Sequence, residues 1–187
     1  MNRHSIKKYV VALFILFAST IVIAEERTTR SYQLHDHGFI QFLVPISWRE
    51  EVHQSSERLP PKIVFTPKSG SSFQILLTIF SAQQGMAELT PSGVKKHVER
   101  AADGFKSQSI EKTIAINELK GPSAIGFYFS VTDKSPKPGE YKYMTQGIAR
   151  IGELTPTFTI LSNEGAENAV ADSLTMLENA VYTQKSR

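Results

Sequence analysis

His35 and His37 stand two residues apart. On an extended strand that spacing would turn both imidazoles to one face, where they could begin a zinc or copper site. The remaining ligands would have to come from His53, His97 or a distant carboxylate, because the chain has no cysteine. Asp36 between them and Gly38 after them favour a turn, since an Asp side chain can cap its own backbone and Gly accepts positive φ. Turn chemistry is therefore expected, and no metal or cofactor. His35 and His37 stay as candidate ligands for the alternative function, an exported metal-binding protein or hydrolase. His97, beside Val98, is expected at a helix edge.

Other reactive arrangements are weaker. The stretch Gly121-Pro122-Ser123-Ala124-Ile125-Gly126 lacks the G-x-S-x-G spacing and the strand-to-helix elbow of a serine nucleophile, and reads as the start of a strand. Glu50-Glu51 follows Trp48 as a pair of adjacent acids, which is not the arrangement of a glycosidase pair and is expected to form a solvated turn. No phosphate-loop or dinucleotide glycine motif occurs. One softer constellation remains. Ala124, Gly126, Tyr128, Ser130 and Thr132 share one face of a strand, and Tyr141 and Tyr143 alternate on the next. If left open, these rows make a shallow aromatic trough for a peptide or ring-bearing ligand, with Tyr128, Tyr141 and Tyr143 as binding candidates. If a helix roofs them, they are where it packs closely, which is the expectation here.

The elements that would position these residues follow from the period of the apolar side chains. "YQLHD" and "GFIQFLVP" predict a hairpin about Asp36-His37-Gly38. The second strand is apolar on both faces, so it should lie inside a sheet and end at Pro45. "KIVFTP" and "SFQILLTIF" flank the polar "KSGSS" as another hairpin. Thr90 and Pro91 open a helix whose stripe is Val94, Val98, Ala101, Ala102 and Phe105. "KTIAINELKG", "SAIGFYFSVTD", "YKYMTQGIARIG" and "TPTFTILSN" add four strands. A closing helix is predicted from about Ala166 to Tyr182, with Val170, Leu174, Leu177 and Val181 as its stripe.

Ahead of these elements, Arg3, Lys7 and Lys8 precede the sixteen-residue run "YVVALFILFASTIVIA", which ends before Glu25-Glu26. This is the pattern of a secretory signal cleaved after Ala24, and it falls short of the roughly 20 residues that cross a bilayer. A single domain, 25–187, follows, and no membrane span is expected in it. The leader holds three of the 21 basic residues and none of the 18 acidic ones, so the mature part is balanced at 18 against 18. That balance, with no concentrated basic stripe, argues against nucleic acid as a partner. Without cysteine there are no disulfides, so stability in an oxidising compartment must come from the core.

The segment "GFIQFLVPISW", the mid-chain helix, the run of four strands and the closing "AVADSLTMLENA" together resemble the PsbP-like group. That group takes in PsbP, Ran-binding nuclear-transport relatives, DcrB-like envelope proteins and Eag-type adaptors. The resemblance covers nearly all of Ser31 to Tyr182 and rests on the order of elements. It implies an α+β fold, an α/β/α sandwich built on a mainly antiparallel sheet of about six to eight strands flanked by two main helices. It also implies a binding, assembly or adaptor role without catalysis, and a packing role for Trp48. The long N-terminal docking extension of photosystem members has no counterpart, and the Eag-type adaptors are cytosolic. The reading is thus an exported, periplasmic or secreted, non-catalytic binding or accessory protein, an adaptor or assembly factor for a polypeptide or a small apolar ligand in the cell envelope, with a protein or peptide partner expected.

Overall fold

The structure, a computed structural model, describes residues 25–185 apart from Asp36, Ser55, 57–58 and 82–89. The expected leader, 1–24, lies outside the described residues. In chain order the elements are β1 (Arg27–Leu34), β2 (Gly38–Pro45), β3 (Trp48–His53), β4 (Lys62–Pro67), β5 (Phe73–Ser81), α1 (Pro91–Phe105), β6 (Asn117–Lys120), β7 (Ala124–Thr132), β8 (Tyr143–Ile151), β9 (Leu154–Ser162), α2 (Glu167–Glu178) and β10 (Val181–Thr183). They form an α+β fold with two antiparallel sheets, a small one ordered β1-β2-β10 and a seven-stranded one ordered β3-β4-β5-β9-β8-β7-β6.

Alternation along β7 assigns the layers. Phe129 and Val131 point to α1, where they join Val98, Ala102 and Ile114 in one apolar cluster, with Phe127 packed against it. Ala124 and Tyr128 point the other way, toward α2 and the larger core. Thr90 caps α1 by accepting the Gly93 N–H at 3.2 Å, and Pro91 takes the first helical position.

The small sheet shares the α2 side. Its inner residues Tyr32, Leu34, Ile40, Phe42 and Val44 meet Phe65, Ile75, Leu77, Phe158 and Ile160 of the large sheet in one core. Trp48 is buried there as expected, its ring 5.1 Å from Phe73 and 6.0 Å from Phe65. Polar ties join the layers as well. Tyr32 donates its hydroxyl to Glu50, whose carboxylate is 3.8 Å from Arg30, and Arg27 pairs with Asp172 on α2. Burial and the Glu50 carboxylate both raise the Tyr32 pKa, so this phenol stays protonated.

Three sequence readings are corrected. Glu50-Glu51 lies in a strand, β3, because Trp48 and Glu50 pair with Pro67 and Phe65 and turn inward with them. The closing helix stops at Glu178. Val181 belongs to β10 and is exposed, because the chain turns at Asn179 and Ala180 to pair Val181 and Tyr182 with Gln41 and Ile40 of β2. β2 is indeed central, but within the small sheet, and its outer Phe39 and Leu43 are exposed.

Replacing Trp48 with Ala is expected to lower stability by about 3–5 kcal/mol, the usual range for emptying a large aromatic site. The denaturant midpoint followed by far-ultraviolet circular dichroism measures it. A loss below about 1 kcal/mol would show that the ring is not a packing element.

Candidate functional site

The structure sorts the sequence candidates into separate places. His35 and His37 sit in the β1–β2 turn. The His37 N–H donates to Leu34 O at 3.1 Å, and its carbonyl accepts the Tyr182 hydroxyl at 2.7 Å, so here the backbone is the working part. His53 is exposed on β3 with Nε2 3.6 Å from Glu51, and His97 is exposed on α1. Among the described residues no three His, Asp or Glu side chains converge as a metal set.

Tyr141 and Tyr143 share one cleft, and Tyr128 stands apart from them. Tyr128 packs against the core under α2. Tyr141 lies ahead of β8, contrary to its expected place on that strand. The reason is that ladder pairing begins at Tyr143 with Thr132, while the Lys142 N–H is taken by Asn163 Oδ1 at 3.1 Å. Tyr141 lines a cleft of about 140 Å³ on the α1 side with Phe105 and Leu161.

The trough is split by its roof. The carboxy-terminal end of α2 comes so close to the β6–β7 turn that a Cβ on Gly121 would lie 2.0 Å from Glu178 O. From there α2 covers the Ala124–Tyr128 half, and Gly147 lets the Phe158 ring settle over β8, since a Cβ would lie 2.5 Å from its Cζ. The helix starts at Glu167, and beyond it the other half stays open as a groove of about 430 Å³. Its floor is hydroxylic. Ser130 and Thr145 are bonded to each other at 2.7 Å, and the adjoining Ser162 is buried. Tyr143, Val170, Glu111 and Glu167 border it.

Glu111 accepts the Thr132 N–H on both carboxylate oxygens at 3.0 Å. Partial burial pushes its pKa up, but the hydrogen bonds it accepts, first from Thr132 and then from its own backbone and Ser109, together outweigh that, and the net direction is down. Outside the groove, Lys142 and Glu164 pair at 2.5 Å, and this hydrogen bond raises the lysine pKa and lowers that of the glutamate. Glu167 Oε1 accepts the Gly165 N–H at 3.1 Å, just ahead of the α2 amino terminus. Sequence reasoning found Ser130, Thr132 and Tyr143 but missed Glu111, Thr145, Ser162 and Glu167. The available signal was a run of polar residues where the inward rows of β7, β8 and β9 end.

No protein-family model and no curated protein sequence matches the chain. Among solved structures it is similar to the solution structure of cyanobacterial PsbP (CyanoP) from Synechocystis sp. PCC 6803, with a TM-score of 0.51 and 12% identity over 90% of this chain and 99% of that one. That likeness establishes a PsbP-like fold.

A group whose folded pKa is lowered contributes stability that is present above its unfolded pKa and lost as pH falls through the folded value. For Glu111 the ordinary value is 4.5. Glu111→Gln is therefore expected to lower the melting temperature at pH 7, and the gap to wild type should close on acidification below about pH 4.5. Melting curves from pH 7 to pH 3 measure it, and a constant gap would exclude a role for the charge.

Proposed function

We propose that the protein is an exported, non-catalytic binding or accessory protein of the cell envelope that holds a segment of a partner polypeptide. The observation that carries this reading is the groove beside the amino terminus of α2. It combines an aromatic wall, Tyr143, an aliphatic one, Val170, and a floor of hydroxyls able to bond a backbone or a polar side chain. The PsbP-like fold supports the same reading through the binding and assembly roles that the sequence resemblance implies. The leader pattern over 1–24 supports export through cleavage after Ala24, and among the described residues no helix is long and apolar enough to cross a membrane.

Two measurements test this. The protein recovered from its own cells should begin at Glu25, and an intact amino terminus on the mature pool would overturn export. Peptides selected by display against the chain from Glu25 onward should bind at least about tenfold more weakly to Tyr143→Ala and to Val170→Trp, each melting near wild type. Equal binding by both variants would remove the groove as the site. Stoichiometric metal in the isolated protein, with no enriched peptide, would favour the metal-binding alternative.

A further inference from the structure

The chemistry of the groove narrows what it can hold, and this inference rests on the reading of the groove as a peptide site. The charged side chains that line it are Glu111 and Glu167, and no Lys, Arg or His lines it. The positive end of α2 is nearby, but Glu167 in its first turn offsets that partial charge. Glu164, the next acid, is occupied by Lys142. The groove therefore presents an excess of negative charge that no protein cation within it answers.

Its floor independently calls for a hydrogen-bonding ligand. Ser162 is 4% exposed, lines the groove, and makes no side-chain hydrogen bond among the described residues. Its oxygen is still reached from the groove, so a ligand that displaces water there without bonding it would forfeit about 1–3 kcal/mol, and the site when filled calls for a donor or acceptor at that point. Ser130 and Thr145 share one hydrogen bond between two hydroxyls, which leaves further lone pairs to accept. Acceptors thus line the bottom and carboxylates the rim.

We infer that the groove takes a basic side chain of the partner polypeptide, a guanidinium or ammonium group whose N–H donors reach Ser162 and the Ser130–Thr145 pair while its charge faces Glu111 and Glu167. Arginine is the better fit, because its planar fork offers five donors to acceptors spread across three strands, whereas lysine offers three at one point.

The test is an amide-resolved nuclear magnetic resonance titration of the chain from Glu25 onward with acetyl-Gly-Arg-Gly-amide, its lysine counterpart, and the neutral citrulline counterpart. The arginine peptide should shift the amides of Ser130, Thr145 and Ser162 saturably. Citrulline should bind at least about tenfold more weakly, and Glu111→Gln with Glu167→Gln should weaken arginine binding by a similar factor. Ser162→Ala, which removes only a hydroxyl, should reduce affinity without lowering the melting temperature. Equal titration by citrulline, or shifts confined to another surface, would overturn the inference. Display-selected peptides that fill the groove without a basic residue would sink this assignment and leave the peptide site standing. If neither these nor the titrated peptides perturb the groove, both readings fail.

Discussion

Both sheets and α2 turn their apolar faces into a single layer around Phe42, Phe65, Phe158 and Leu177, and all else in the molecule is arranged about that layer. A chain without disulfides depends on such burial, worth roughly 25 cal/mol for each square ångström of apolar surface removed from water. Close packing there leaves little tolerance. Phe158 crosses β8 at Gly147, where a side chain would collide with it, and the wholly buried Ser173 on α2 satisfies its hydroxyl by donating to Ala169 O.

The groove follows from a mismatch of lengths. A twelve-residue helix spans about 18 Å at 1.5 Å per residue, whereas a nine-residue strand spans about 30 Å at about 3.3 Å per residue. With its far end held against Gly121, α2 cannot reach the end of β7. The uncovered ends of β7, β8 and β9 carry hydroxyls where the covered parts carry Ala, Gly and Phe. Composition thus changes along each strand at the point where the roof stops.

Much of this was legible in the sequence, and the exceptions share a cause. The stripe of α1, the alternation of β5 and β7 and the turn before Gly38 each depend on local period and punctuation, and each has its expected form. Period tells which residues share a face, but it does not tell which element covers that face. Hence the pattern of β2 marks it as central, but carries no sign of its membership of a second sheet or of the exposure of Phe39 and Leu43. Val181 continued a helical spacing that Val170, Leu174 and Leu177 had begun, and only the pairing with Gln41 removes it from the helix. The groove was half visible, because Ser130 and Tyr143 interrupt their rows, while Glu111 and Ser162 reach it from segments with no local signature of binding.

Tyr182 bears on how the molecule comes to exist at all. Its ring lies on Gly152 in the β8–β9 turn, and its hydroxyl reaches the carbonyl of His37 in the β1–β2 turn, 145 residues earlier. Arg27 and Asp172 are also 145 residues apart. Synthesis runs from the amino terminus, so the small sheet lacks its third strand until all the chain between β2 and β10 has been made. The loop that this pairing closes spans most of the described residues, which makes it a contact of high sequence separation.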